Sequence, residues 1–209
     1  MVNYLDFLHQ MLLENQYSLP NSMENLFIQY LDLLTQWNKV FNLTRICDPE
    51  EMVLLHILDS LSISPYLHGT RILDVGTGAG LPGIPLAIIQ PEKKFVLIDS
   101  NSKKTRFLVQ AVHELKLANV EIIHSRCEDL QPQQLFDSIV SRAFASLQVM
   151  LTTTCHLINK DGRFLAMKGV YPESEIQALP QGFKLLAVHK LVIKGLDAKR
   201  HLVCLAKED

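Results

Sequence analysis

Hydrophobic positions change their rhythm near residue 70. Before it they recur at helical spacing. Residues 4–15 read as one amphipathic helix and residues 22–38 as a second, with Leu26, Tyr30, Leu33, Leu34 and Trp37 on its apolar face. Ser22 is the expected N-cap of the second helix. Asp48-Pro49-Glu50-Glu51 marks a third start, with a capping carboxylate, proline at the first helical position and acids at the positive end of the dipole. That helix is expected to run to about Ile63, ahead of the Ser64-Pro65 break. Beyond residue 70, short apolar runs alternate with helical segments. Strands are predicted at 71–75, 95–99, 120–124, 136–141 and 163–168, the last after an Asp161-Gly162 turn. Helices are predicted near 84–90, 102–117 and 147–158. Such alternation implies a parallel sheet covered on both faces. The final runs, 184–193 and 201–206, are joined only by KGLDAKR. A link that short cannot be a parallel crossover, so the two should form an antiparallel hairpin. The expected fold is therefore α/β: a helical N-terminal cap (1–69), then a seven-stranded, mostly parallel sheet with a C-terminal antiparallel hairpin (70–209).

Composition narrows the class. With 48 % hydrophobic and 20 % charged residues over 209 positions, the chain can bury a full core. Mean hydropathy is +0.13, yet no apolar run approaches the ~18 residues of a membrane span. The N-terminus lacks a basic region and a small-residue cleavage site, so no secretory signal is expected. Cys47, Cys127, Cys155 and Cys204 are scattered without a CxxC pair, and the histidines show no HExxH. Neither a metal site nor a disulfide framework is expected, and a reducing cytoplasm fits. Net charge is −2, but it is unevenly spread. Residues 1–70 hold two basic groups, Lys39 and Arg45, against eight acids, whereas residues 71–209 hold eighteen basic against fourteen acidic. That asymmetry permits a basic face for a polyanion on the second part.

The sharpest chemical signal is Asp74-Val75-Gly76-Thr77-Gly78-Ala79-Gly80-Leu81-Pro82-Gly83, between a strand and a helix. It contains two readings. Gly78-x-Gly80-x-x-Gly83 matches the dinucleotide fingerprint. Asp74-x-Gly76-x-Gly78-x-Gly80 resembles motif I of S-adenosylmethionine (SAM) methyltransferases, whose zwitterionic ligand needs both donors and acceptors. A carboxylate just before the loop suits SAM and would repel a phosphate. Asp99, ending the second strand, can accept two ribose hydroxyls, which suits NAD and SAM equally; its alternative is a helix cap, a role Asn101 or Ser102 can also fill. Arg126-Cys127-Glu128-Asp129 follows the third strand, where an acid can accept an adenine amino group. Ser141-Arg142-Ala143-Phe144-Ala145 follows the fourth. It contains no Asn/Asp-Pro-Pro-Tyr of amine methylation, and Cys155 is too deep in a predicted helix for a cytosine-C5 nucleophile. A ring nitrogen with a free lone pair is the target this leaves, and Phe144 could stack on an unpaired base or pack on the sheet. Lys168-Gly169 ends the fifth strand and is a candidate phosphate contact, as is the Lys103/Lys104/Arg106 cluster; Lys199-Arg200 is a weaker one.

WNKVFNLT (37–44), HILDSL (56–61), DVGTGAGLPGIPLAI (74–88), LIDSNSKKTRFL (97–108), SRCEDL (125–130), SRAFASL (141–147) and MKG (167–169) together resemble the bacterial ribosomal RNA small subunit methyltransferase G family. The resemblance implies a Rossmann-like class I SAM methyltransferase fold. It also implies SAM as cofactor and transfer of a methyl group to N7 of guanine-527 in 16S rRNA. Gly76, Leu81, Cys127, Glu128 and Arg142 match the family's SAM-contacting positions, joining Asp74, Gly78, Gly80 and Asp99 from the reading above. Arg126 matches a basic position serving the site, and Arg142, Arg126 and Lys168 are the candidate catalytic residues. His56 and Asp59, one helical turn apart, could reach the crevice or serve packing. The expected partner is 16S rRNA or the small ribosomal subunit, with no membrane association and the protein a monomer. The alternatives from other classes are an NAD(P)-dependent oxidoreductase and a catalytically inactive RNA-binding module on the same fold.

Overall fold

The computed structural model describes residues 4–208. Met1 to Asn3 of the cap and Asp209 at the end of the sheet domain lie outside the described residues. The cap is α1 (Tyr4–Glu14), α2 (Asn21–Phe41), and a third helix that changes winding along its length. α3 (Pro49–Met52) passes into a π-helical segment (Val53–Leu58) and then α4 (Asp59–Leu61). The sheet domain runs β1 (Arg71–Val75), α5 (Gly83–Ile89), β2 (Lys94–Asp99), α6 (Ser102–Glu114), β3 (Val120–His124), β4 (Phe136–Arg142), α7 (Leu147–Thr154), β5 (Ile158–Lys168), α8 (Glu173–Gln177), β6 (Phe183–Leu191) and β7 (Arg200–Lys207). The seven strands are ordered β3-β2-β1-β4-β5-β7-β6. β1 to β5 pair in parallel, while β7 lies antiparallel to both β5 and β6. The predicted hairpin is therefore present, with β7 inserted beside β5. Chain order reverses between β1 and β4, and the crevice of such a sheet opens there, beyond the carboxyl ends of the strands.

Strand alternation decides which side chain meets which layer. Ile72, Phe95, Leu97, Val140, Leu165, Met167 and Leu202 face the cap, α5 and α6, in one core with Leu8, Phe27, Tyr30, Ile57, Ile84 and Phe107. Their neighbours Leu73, Val75, Val96, Ile98, Ile139, Phe164, Ala166 and Val203 face α7 and pack on Leu147, Met150 and Leu151. Continuing the count to the strand ends puts Asp74, Asp99, Arg142 and Arg200 on the cap side and Lys168 on the α7 side.

Several local expectations change. α2 starts at Asn21 after Pro20 and has no side-chain cap, so Ser22 is not its N-cap. Asp48 does cap α3, accepting from the Glu51 N–H at 3.0 Å. The Asp161-Gly162 turn signal is overridden, because β5 already pairs with β4 at Ile158 and residues 159–162 lie in an irregularity between two pairings. α8 was not foreseen. Among the described residues no helix is long and apolar enough to cross a membrane.

Candidate functional site

The glycine-rich turn is held from three sides. Asp74 is fully buried, and its Oδ2 accepts from the Thr77 hydroxyl at 2.6 Å and the Gly83 N–H at 2.9 Å. The Gly78 N–H donates to Asp99 Oδ2 at 2.9 Å, and the Gly76 N–H to the Ile98 carbonyl at 2.9 Å. From the cap, the buried Tyr30 hydroxyl donates to the Ala79 carbonyl at 2.7 Å. The glycines serve different ends. Gly76 (φ +66°) faces open space bounded only by the Phe144 ring, whose nearest atom is 3.8 Å from where a Cβ would stand. At Gly80 (φ +94°) a Cβ would meet Ile84 at 2.6 Å and Leu108 at 2.9 Å, so that glycine answers to core packing. Leu81 is likewise buried in the cap-side core.

Asp74 Oδ1 is buried and has no partner among the described residues. Burial raises the Asp74 pKa to about 6, against the lowering effect of Thr77, Gly83 and the nearby Arg142 cation. An orphaned carboxylate oxygen under the loop calls for a cationic donor, which is what the ammonium of an amino-acid ligand supplies. The same carboxylate occupies the first N–H of α5, where a pyrophosphate would otherwise sit. The dinucleotide reading fails on that point, and the residues fit SAM.

Asp99 is buried at the end of β2. Its Oδ1 accepts from the Asn101 N–H at 2.8 Å, and Lys104 Nζ stands 3.6 Å from Oδ2. Capping of α6 falls to Asn101, so Asp99 keeps lone pairs for hydroxyl donors. After β3, Cys127 is buried and its thiol donates to Glu128 Oε2 at 3.2 Å. Burial and that bond push the thiol up to about 11. Glu128 itself is exposed and held below the usual carboxylate range, first by its own backbone N–H and then by the thiol. Arg126 is exposed beside it.

Arg142 lies on the cap side, as the alternation requires. Its Nη1 donates to the Leu55 carbonyl at 2.6 Å and stands 3.3 Å from Asp59 Oδ2. Arg200 Nε reaches the other oxygen of Asp59 at 2.9 Å. His56, one turn before Asp59, shares a 3.1 Å bond with the Thr44 hydroxyl, and burial together with Arg142 lowers its pKa to about 4. Thr44, Arg45, Leu55, His56, Arg142 and Arg200 line a cleft of about 550 Å³ between cap and sheet. Lys168 lines the same cleft, but its ammonium is paired with Glu175 at 2.9 Å, and Glu175 also accepts from the Leu147 N–H. Lys168 is thus already neutralised, in contrast to the free cation expected of a phosphate contact. Lys103 and Arg106 are exposed on α6, whereas Lys104 leans over Asp99. Phe144 is half-buried between Gly76 and the α7-side core. Tyr30 was expected only as a core residue, and its bond to the turn, Glu175 and the pairing of Asp59 with Arg200 were not foreseen.

The site thus juxtaposes a turn suited to a zwitterionic nucleoside ligand with a cationic cleft containing no ionisable base near neutral pH. Residues 23–203 match the family model described as rRNA small subunit methyltransferase G. The chain is 51 % identical over 191 residues to the ribosomal RNA small subunit methyltransferase G of Stutzerimonas stutzeri, covering 90 % of this chain and 89 % of that one. Among solved structures it is similar in fold to a SAM-dependent methyltransferase from Aquifex aeolicus (TM-score 0.59, 20 % identity, 76 % of this chain and 93 % of that one). It is also similar to the glycopeptide N-methyltransferase MtfA complexed with SAM (TM-score 0.64, 8 % identity, 74 % and 88 %).

Proposed function

The chain belongs to the rRNA small subunit methyltransferase G family, and from that premise we propose how its crevice serves the family's reaction. The enzyme is a SAM-dependent methyltransferase acting on N7 of guanine-527 in 16S rRNA. The oxidoreductase and the inactive binding module fall away. We read residues 70–209 as the catalytic domain and 1–69 as a cap that closes the substrate side. We further take the protein to be a monomer acting in the cytoplasm.

Asp74, Gly76, Gly78, Asp99, Cys127 and Glu128 would hold SAM, which when bound supplies an electrophilic methyl group on a sulfonium. Asp74 faces the amino-acid end. Asp99 accepts from the ribose. Glu128, ionised and exposed, accepts from the adenine amino group, while the Cys127 thiol keeps it oriented. Gly80 and Leu81 act through the shape of the turn. Arg142 joins the turn to the cleft, which we assign to the target guanine, and Arg126 borders the adenine end. Guanine N7 is an acceptor and carries no proton, so the chain need only position the base and exclude water. His56, neutral and tied to Thr44, shapes the cleft wall. Lys168 we assign to RNA only when Glu175 yields it to a phosphate.

The observation carrying this reading is the orphaned Asp74 oxygen beneath a turn whose Gly76 leaves open space. Incubation with small subunits and labelled SAM, followed by cleavage of the rRNA at N7-methylguanine, tests it. Wild-type protein should give one new break, at position 527. Gly76→Val, strained at φ +66°, should fold with a lowered thermal midpoint, lose SAM binding in calorimetry and give no break; a folded Gly76→Val with unchanged SAM affinity contradicts the assignment.

A further inference from the structure

We propose that Asp59 is a positioning residue for methyl transfer, fixing the guanidinium groups of Arg142 and Arg200 as an oriented pair at the cleft. This deepens the functional reading above and rests on it. Asp59 is 3 % exposed, and its two oxygens are divided between two cations from separate strands. Oδ2 faces Arg142 Nη1 at 3.3 Å, from the end of β4, and Oδ1 accepts from Arg200 Nε at 2.9 Å, from the start of β7. Each arginine is also anchored to a backbone carbonyl through Nη1, Arg142 to Leu55 at 2.6 Å and Arg200 to Lys199 at 2.9 Å. Among the described residues no hydrogen bond engages Arg142 Nε or Nη2, or Arg200 Nη2. Both guanidiniums are therefore locked on one edge and left with free donors on the other. Free N–H groups in a fixed fork suit a guanine O6 or a phosphate oxygen.

Charge gives a second reason for a carboxylate here. Methyl transfer moves positive charge onto the guanine. Two uncompensated guanidiniums in the cleft would oppose that movement, whereas with Asp59 the trio carries only +1. Of the other groups nearby, Asp74 also feels Arg142 but is tied into the turn by Thr77 and Gly83, His56 is neutral, Arg45 and Lys168 are further cations on the cleft wall, and Glu175 is engaged with Lys168 and the Leu147 N–H. The winding of the cap helix contributes to the placement. The π-helical segment Val53–Leu58 ends where the Asp59 N–H reaches back to the Leu54 carbonyl, which sets Asp59 and the Leu55 carbonyl on the same cleft wall.

A purely structural strut between cap and sheet is the competing account, and coupling separates the two. Asp59→Asn keeps the shape and removes the charge. Single-turnover transfer to small subunits, with SAM and subunits saturating, should slow on the order of 100-fold, the scale of a misplaced reacting group. SAM affinity should change less than about threefold, because Arg142 retains Leu55. The double variant Asp59→Asn/Arg200→Ala should be slowed at least tenfold less than the product of the two single effects, since both remove the Asp59–Arg200 pairing. Wild-type rate in Asp59→Asn, or single effects that multiply in the double variant, overturns the inference. Arg200→Lys provides an independent test should Asp59→Asn fail to fold. It keeps the charge but loses the Nε donor, so transfer should slow at least tenfold, and a wild-type rate overturns the inference. Wild-type protein that transfers no methyl group overturns the functional reading and the inference together, whereas normal wild-type transfer with an unimpaired Asp59→Asn overturns the inference alone.

Discussion

Asp74 shows how one side chain can serve both fold and ligand. Its Oδ2 ties the turn to the start of α5, and its buried, unpartnered Oδ1 carries the cost of that position. Burial raises its pKa to about 6, so near that pH much of the free protein holds a proton there. A cationic ligand group favours the ionised carboxylate, so binding releases that proton. The sign follows: SAM affinity should fall as pH drops from 7 to 5, approaching tenfold per unit below 6. Calorimetry at several pH values checks this. Asp74→Asn should bind more weakly and lose the pH dependence, and a flat wild-type profile contradicts the assignment. Asp74 stood out in the sequence as a carboxylate before a glycine-rich turn, but its bonds to Thr77 and Gly83 within that turn did not. The separate roles of the glycines were not legible either, since whether Gly76 meets a ligand or Gly80 meets Ile84 depends on which side chains surround the turn.

At the level of elements, strand positions were read closely because short apolar runs between helical segments have few alternatives. What failed was local punctuation. The Asp161-Gly162 turn signal lost to pairing with β4, and the Ser22 cap lost to Pro20. Lys168 and Arg142 were expected at one crevice mouth, both as the last residue of a parallel strand. Both do line the cleft, although their side chains leave the sheet on opposite faces, because Met167 rather than Lys168 shares the face of Val140, and Lys168 is drawn to Glu175. Once the cap face is known that parity can be counted from sequence, but the face itself follows only from packing. Tyr30 is the cap's direct hold on the turn. Tyr30→Phe removes the hydroxyl and leaves a buried carbonyl unpaired, which costs about 1–3 kcal/mol. A lowered thermal midpoint and severalfold weaker SAM binding are expected. Unchanged values for both would mean that α2 does not support the turn.

Across the whole molecule, cap and sheet form one core, and the cleft lies where that core opens beside the glycine-rich turn. Contacts such as Asp59 with Arg200, 141 positions apart, have no signature in a single sequence. The cleft positions charges and donors rather than a poised base, and Asp74, raised to about 6, lies under the turn rather than on the cleft wall. His56 is pushed down to about 4 by burial and Arg142, and Cys127 up to about 11 by burial and Glu128. Transfer to a ring nitrogen without a proton requires no such group. The most direct test is the single-turnover rate of methyl transfer to 16S rRNA from pH 6 to 9, with SAM and small subunits saturating so that Asp74 stays ionised. The account predicts a rate that varies less than about threefold over that range. A log-linear rise with slope one, abolished in a folded His56→Ala that still binds both substrates, would show that a proton is removed in the rate-limiting step and contradict it.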